Sequence, residues 1–138
     1  MKSVVKWGCF LFIILAVLGG VSAYFVGKVT LNKVDELVKN PGTQQVKMLS
    51  AEQYIKEVVQ NSEVINNTTQ IVEVTGVVKN VYKDHIELEE GKLYVDIQKG
   101  EKISYIKNGT TITVRGIAGG YDKEKGEALI LKGIIITK

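Results

Sequence analysis

The chain has one Cys, one His, one Pro, one Trp and, among 18 basic residues, a single Arg. Each scarcity excludes something. A lone Cys9 cannot close an intramolecular disulfide, and Cys/His zinc sites need four ligands, more than Cys9 and His85 supply. A Ser-His-Asp or Cys-His device would have to be built on His85 alone. No charge of one sign dominates either. The net charge is +3, but Lys2 and Lys6 are the only charges in residues 1–27, which leaves 16 of the 18 Lys and Arg against all 15 Asp and Glu. Nucleic-acid binders usually show a basic excess on one face, and bidentate grip on phosphate or guanine favours Arg. Here there is no excess, and Arg115 stands alone. At 138 residues the chain has length for one domain and an appendage. No catalytic residue, cofactor or metal site is expected.

What is present begins with a long apolar run. Residues 7–27, from Trp7 to Gly27, carry no charge. As a helix at about 1.5 Å per residue they would cover roughly 30 Å, enough to cross a bilayer core. Trp7 sits at one edge and Tyr24 with Phe25 at the other, as interfacial aromatics do. The expectation is a single-pass anchor at 1–27 with the C-terminal part extracytoplasmic. The alternative is a signal peptide cut near Ala23, because Val21-Ser22-Ala23 is a small-residue cleavage pattern. Both place the rest of the chain outside the cytoplasm.

Residues 28–49 read as a linker with a turn at Asn40-Pro41-Gly42; Val29, Leu31, Val34, Leu37 and Val38 would extend the apolar helix or make a short amphipathic turn, which Pro41 ends in either case. Ser50 and Gln53 then make a capping box, and Tyr54, Ile55, Val58 and Val59 lie on one apolar helical face. From Gln70 the period changes to two. Strands are predicted at 70–82, 85–90, 92–98, 110–121 and 127–137, with tight turns at Lys83-Asp84 and Glu90-Gly91 and a short helix or helical turn at 100–109. Gly76, Gly116 and Gly133 each interrupt an apolar strand, as bends in a small barrel would require.

Five strands with a helical piece between the third and fourth is the OB-fold order. SAEQYIKEVVQN leads into IVEVTGVVKNV, IELEEGKLYVDI, IKNGTTITVRGIAGGY and LILKGIII, and over residues 50–138 this resembles the tRNA_anti-like family of OB-fold proteins. The resemblance implies a mainly β fold: a five-stranded OB-fold Greek-key barrel with a preceding amphipathic helix, behind the N-terminal transmembrane helix. It rests on strand order and Gly-Val spacing, and it implies no activity and no catalytic residues.

OB barrels bind ligands on the outer face of strands 2–3 and with the loops between strands 1–2 and 4–5. Alternation sends Ile86, Leu88, Leu93, Val95 and Ile97 inward. It leaves His85, Glu87, Glu89, Tyr94, Asp96 and Gln98 outward, a face with three acids and no Lys or Arg. With the neighbouring loops, the candidate ligand face is Tyr82, His85, Glu87, Tyr94, Asp96, Tyr121 and Lys123. Single-strand binding needs stacking aromatics together with cations for phosphate, so nucleic acid is the disfavoured alternative. The expected function is a non-catalytic binding or interaction module whose partner is a protein or envelope component.

Overall fold

The computed structural model describes residues 32–61 and 70–136. The apolar run 7–27 lies outside them, and no helix among the described residues is long and apolar enough to cross a membrane. The chain divides into two compact units, Met1–Val34 and Asp35–Lys138. Of the first, only residues 32–34 are described, and they are helical. Helical residues 32–39 (α1) stop where the sequence says they must: Asn40 N–H makes a last helical bond to Glu36 O at 2.8 Å, and Pro41 has no N–H to continue. Gly42 turns the chain at φ +61°.

A strand, β1 (Val46–Ser50), runs straight into a helix, α2 (Ala51–Gln60). The capping box forms. Gln53 N–H donates to Ser50 Oγ at 3.2 Å, and Ser50 N–H donates to Gln53 Oε1 at 3.1 Å. Ala51 and Tyr54 are buried and Ile55 and Val58 pack on the core, whereas Val59, expected on the same apolar face, is exposed.

The remaining strands are β2 (Ile71–Val81), β3 (His85–Leu88), β4 (Leu93–Ile97), β5 (Thr111–Asp122) and β6 (Glu127–Ile136). Their neighbour order is β2-β3-β4-β6-β5, and β5 returns to β2, so the five close into an OB-like barrel. Only β4–β6 is parallel; the other barrel pairs are antiparallel. Alternate residues fill the interior: Val72, Val74, Val78, Ile86, Leu88, Leu93, Val95, Val114, Ala128 and Ile130 are buried in one cluster with Ala51 and Tyr54.

One expectation is corrected. The linker read at 28–49 contains, besides the helix that Pro41 ends, most of β1. β3 pairs with β2 only at residues 78–81, which leaves the edge of 71–75 opposite β5 without a barrel neighbour. Unpaired backbone groups there would be costly, and β1 satisfies them as a parallel strand, Val46 beside Ile71 through Ser50 beside Thr75. Residues 100–109, expected as a short helix or helical turn, take the second form, as two turns with no helix. Ile103 and Ile106 are buried one turn apart (Ile106 N–H to Ile103 O, 3.0 Å), but Gly109 N–H is drawn to Val78 O at 2.7 Å and Val78 N–H to Thr110 O at 2.9 Å.

The three strand glycines are sites of close approach, with no positive φ at any of them. A Cβ on Gly76 would lie 2.8 Å from Ala51 Cβ, and one on Gly133 would lie 2.7 Å from Val95 Cγ1. Gly116 and Gly133 face each other across a bulge. Between the rungs Arg115–Ile134 and Ile117–Leu131, β5 contributes one residue and β6 two. Lys132, one of the two, has φ +56°.

Candidate functional site

The site is set by a second bulge. Val78 pairs with Leu88, but Asn80 pairs with Glu87, so Lys79 is an extra residue in β2. An inserted residue shifts the alternation of everything after it. Val78 and Val81 both reach the core, and Tyr82, which would have pointed inward without the bulge, is exposed beside the outer face of β3. The sequence shows the cause: two polar residues, Lys79-Asn80, separate two core valines. Tyr82 N–H then closes the β2–β3 turn by donating to His85 O at 2.9 Å.

Tyr82, His85 and Tyr94 form one stack. The His85 ring lies between the other two, with centroids 4.3 Å from Tyr82 at an interplanar angle of 14° and 4.6 Å from Tyr94 at 25°. Offset aromatic pairs of this kind contribute about 0.5–1.5 kcal/mol each. One face of Tyr82 is covered by His85, and the residue is 45 % exposed.

Carboxylates surround the stack. Asp96 is the rung partner of His85 and Glu87 is the rung partner of Tyr94. His85 Nδ1 lies 2.7 Å from Asp84 Oδ1, and this hydrogen bond holds the Asp84 carboxyl below its ordinary range. The Tyr94 phenol is raised above its ordinary value, first by partial burial and then by the negative charge of Asp96, Asp84 and Glu127. Glu87 accepts from Asn80 Nδ2 at 2.9 Å. Lys125 approaches Glu127 only to 4.0 Å and stays largely exposed.

No family model and no curated protein matches the chain. The reading of the site therefore rests on its own geometry.

Of the seven residues predicted for the ligand face, the structure brings five together: Tyr82, His85, Glu87, Tyr94 and Asp96. Tyr121 belongs to β5, where it pairs with Ala128 and packs on the core. Lys123 sits at the exposed tip of the β5–β6 hairpin. That hairpin is tied down: Asp122 Oδ1 accepts from Glu124 N–H at 3.0 Å and Lys125 N–H at 3.2 Å, and Gly126 N–H donates to Asp122 O at 2.8 Å. Two further outward residues are corrected. Glu89 turns back to accept Val77 N–H at 3.0 Å. Gln98 is buried, donating to Asp35 O at 3.1 Å and Lys132 O at 3.0 Å, because residues 35–39 cover that end of the sheet. Glu127 was missed. It enters the face because β6 lies beside β4, a parallel pairing between strands far apart in sequence. Among the described residues no three His, Cys, Asp or Glu are grouped to hold a metal ion.

Proposed function

We propose that the protein is a membrane-tethered, extracytoplasmic OB-fold binding module without catalysis, and that its ligand face is the outer surface of β3 and β4. The observation that carries this reading is the Tyr82–His85–Tyr94 stack, an aromatic surface on the face that OB barrels use for ligands. Closure in the order β2-β3-β4-β6-β5 supports the OB-fold itself, in line with the resemblance to tRNA_anti-like proteins. The apolar run 7–27 supports the tether. A fold of this kind supplies no activity by analogy.

Nucleic acid is the poorer ligand. A stacked base is worth about 1–3 kcal/mol. A phosphate at contact distance from a carboxylate meets about 1 kcal/mol of repulsion even in water. Asp96, across from His85, and Asp84, bonded to it, put negative charge where the phosphates of a stacked strand would lie. The test has two limbs. The protein is expected to stay with membranes through an alkaline carbonate wash, with its barrel digested by protease added outside intact cells. Release into the soluble fraction would point to the cleaved-signal alternative. Titration of the full chain with single-stranded DNA and RNA should show no micromolar binding; binding that collapses with salt, as counterion release requires, would replace this reading with the nucleic-acid one.

A further inference from the structure

We infer that this face recognises an arginine-bearing extended segment of a partner protein, a conclusion that rests on the ligand-face reading above and adds the chemistry of the ligand. The free side of the Tyr82 ring offers a π-face, and a planar guanidinium lies flat on such a face while its N–H groups reach neighbouring carboxylates. Those carboxylates are at hand. Asp84 follows Tyr82 by two residues and is four-fifths exposed, so one of its oxygens remains open while the other engages His85. Asp96 stands across from His85 in the next strand.

The arrangement also has a repeat. His85–Asp96 and Glu87–Tyr94 are successive rungs on the same face of the β3–β4 pair. Same-face rungs lie about 6.6–6.8 Å apart along a strand. Asp96 on β4 and Glu87 on β3 are diagonal neighbours, about 7–8 Å apart, so an extended peptide crossing the pair obliquely sets basic residues at i and i+2 close to both. Glu127, entering from β6, is largely covered, its side chain 14 % exposed, and adds negative charge to the acidic strip without joining its exposed surface. A small amine would satisfy one carboxylate and leave the others unmatched. Lys on the partner would fit less well, because an ammonium lacks the planar fork. Charge complementarity of this kind sets the on-rate and excludes anionic competitors.

The test uses the full chain in detergent micelles and fluorescein-labelled peptides read by anisotropy. The probes are Gly-Arg-Ser-Arg-Ser-Arg-Gly, its Lys counterpart, its Glu counterpart, and a labelled dT oligonucleotide. The Arg peptide is expected to bind best, more weakly as salt rises, with the Lys peptide several-fold weaker and the Glu peptide silent. Asp96→Asn, which preserves shape and removes only charge, should weaken the Arg peptide about tenfold, and Tyr82→Ala should weaken it several-fold. Glu52→Gln, at an exposed position of α2, should change nothing, and thermal midpoints will separate lost binding from lost folding. Equal affinity of wild type and Asp96→Asn for the Arg peptide overturns the inference, as does absence of binding at millimolar peptide. If the oligonucleotide binds and Tyr82→Ala abolishes it, the face is a ligand site but the cationic class is wrong. If all probes bind equally to wild type and to Tyr82→Ala, the ligand-face reading itself falls.

Discussion

Tyr54 adds a hydrogen bond to the apolar packing that joins the leading helix to the barrel wall. Its ring is buried, and its hydroxyl donates to Leu129 O at 2.6 Å. Burial pushes the phenol from 10.0 up to about 12, against the opposing pull of backbone groups at Gly119 and Gly120. The folded protein therefore keeps the proton where the unfolded chain loses it. The associated stability is complete below pH 10 and is lost as pH rises from about 10 to 12, roughly 2–3 kcal/mol in all. Thermal melts across this range should show the loss in wild type and its removal in Tyr54→Phe. The variant should begin about 1 kcal/mol less stable at neutral pH because Leu129 O loses its donor. The turn after β3 offers a gain instead. Glu89, Glu90 and Gly91 are all left-handed, with φ of 49°, 58° and 84°. Glu89 has a bond to Val77 that fixes it there, but the Glu90 side chain has no such role. Lys79 uses only the Glu90 carbonyl, at 3.0 Å. Glu90→Gly should raise stability by about 1 kcal/mol in denaturant titrations.

At the level of elements, the β5–β6 bulge and the end of α1 depend on close contacts. A Cβ on Gly116 would lie 2.5 Å from Ile130 Cγ2 and 2.7 Å from Leu131 O. The second of these atoms is backbone and cannot rotate away. Even Gly116→Ala should cost about 2 kcal/mol or more, and Gly116→Val should prevent the barrel from closing, measured as loss of a cooperative melt. Beside the bulge, Arg115 and Glu73 are cross-strand partners between β5 and β2. Arg115 Nε and Nη2 both donate to Glu73 Oε1, at 2.8 and 2.5 Å, and Nη1 donates to Lys39 O at 3.3 Å at the end of α1. Both side chains are largely buried. Arg115→Met would strand a buried carboxylate and should cost about 3–5 kcal/mol, whereas Glu73→Leu with Arg115→Met should recover most of that. A double-mutant cycle in denaturant would show the coupling; additive losses would mean the pair is solvated.

For the whole unit, the consequence concerns where the fold begins. The barrel strands span 71–136, yet Ala51 and Tyr54 belong to its core, and Leu49, Ile55 and Val58 pack against it. Removing Tyr54 alone should cost about 3–5 kcal/mol, against a typical domain stability of about 5–15 kcal/mol. Loss of β1 would also reopen the 71–75 edge. A chain starting at Gln70 should therefore lack a cooperative unfolding transition, while one starting at Asp35 should retain it. Circular dichroism melts of the two would decide this.

Much of this was legible in the residues. Alternation placed Ile86, Leu88, Leu93, Val95 and Ile97 inside, and all are buried. Ser50 and Gln53 announced the start of α2, and Pro41 the end of α1, because capping and the missing N–H of proline act within a few residues. Local chemistry also put His85, Glu87, Tyr94 and Asp96 on two neighbouring strands, with Tyr82 just before the first of them. It could not place Glu127 beside Tyr94, lay Val46–Ser50 along β2, or bury Gln98 under Asp35, since each depends on segments distant in sequence. The two polar residues at Lys79-Asn80 sit between, visible in the chain as a broken alternation. Only the closed barrel, with its pairing register fixed by the core, turns that break into a bulge that brings the Tyr82 ring onto His85.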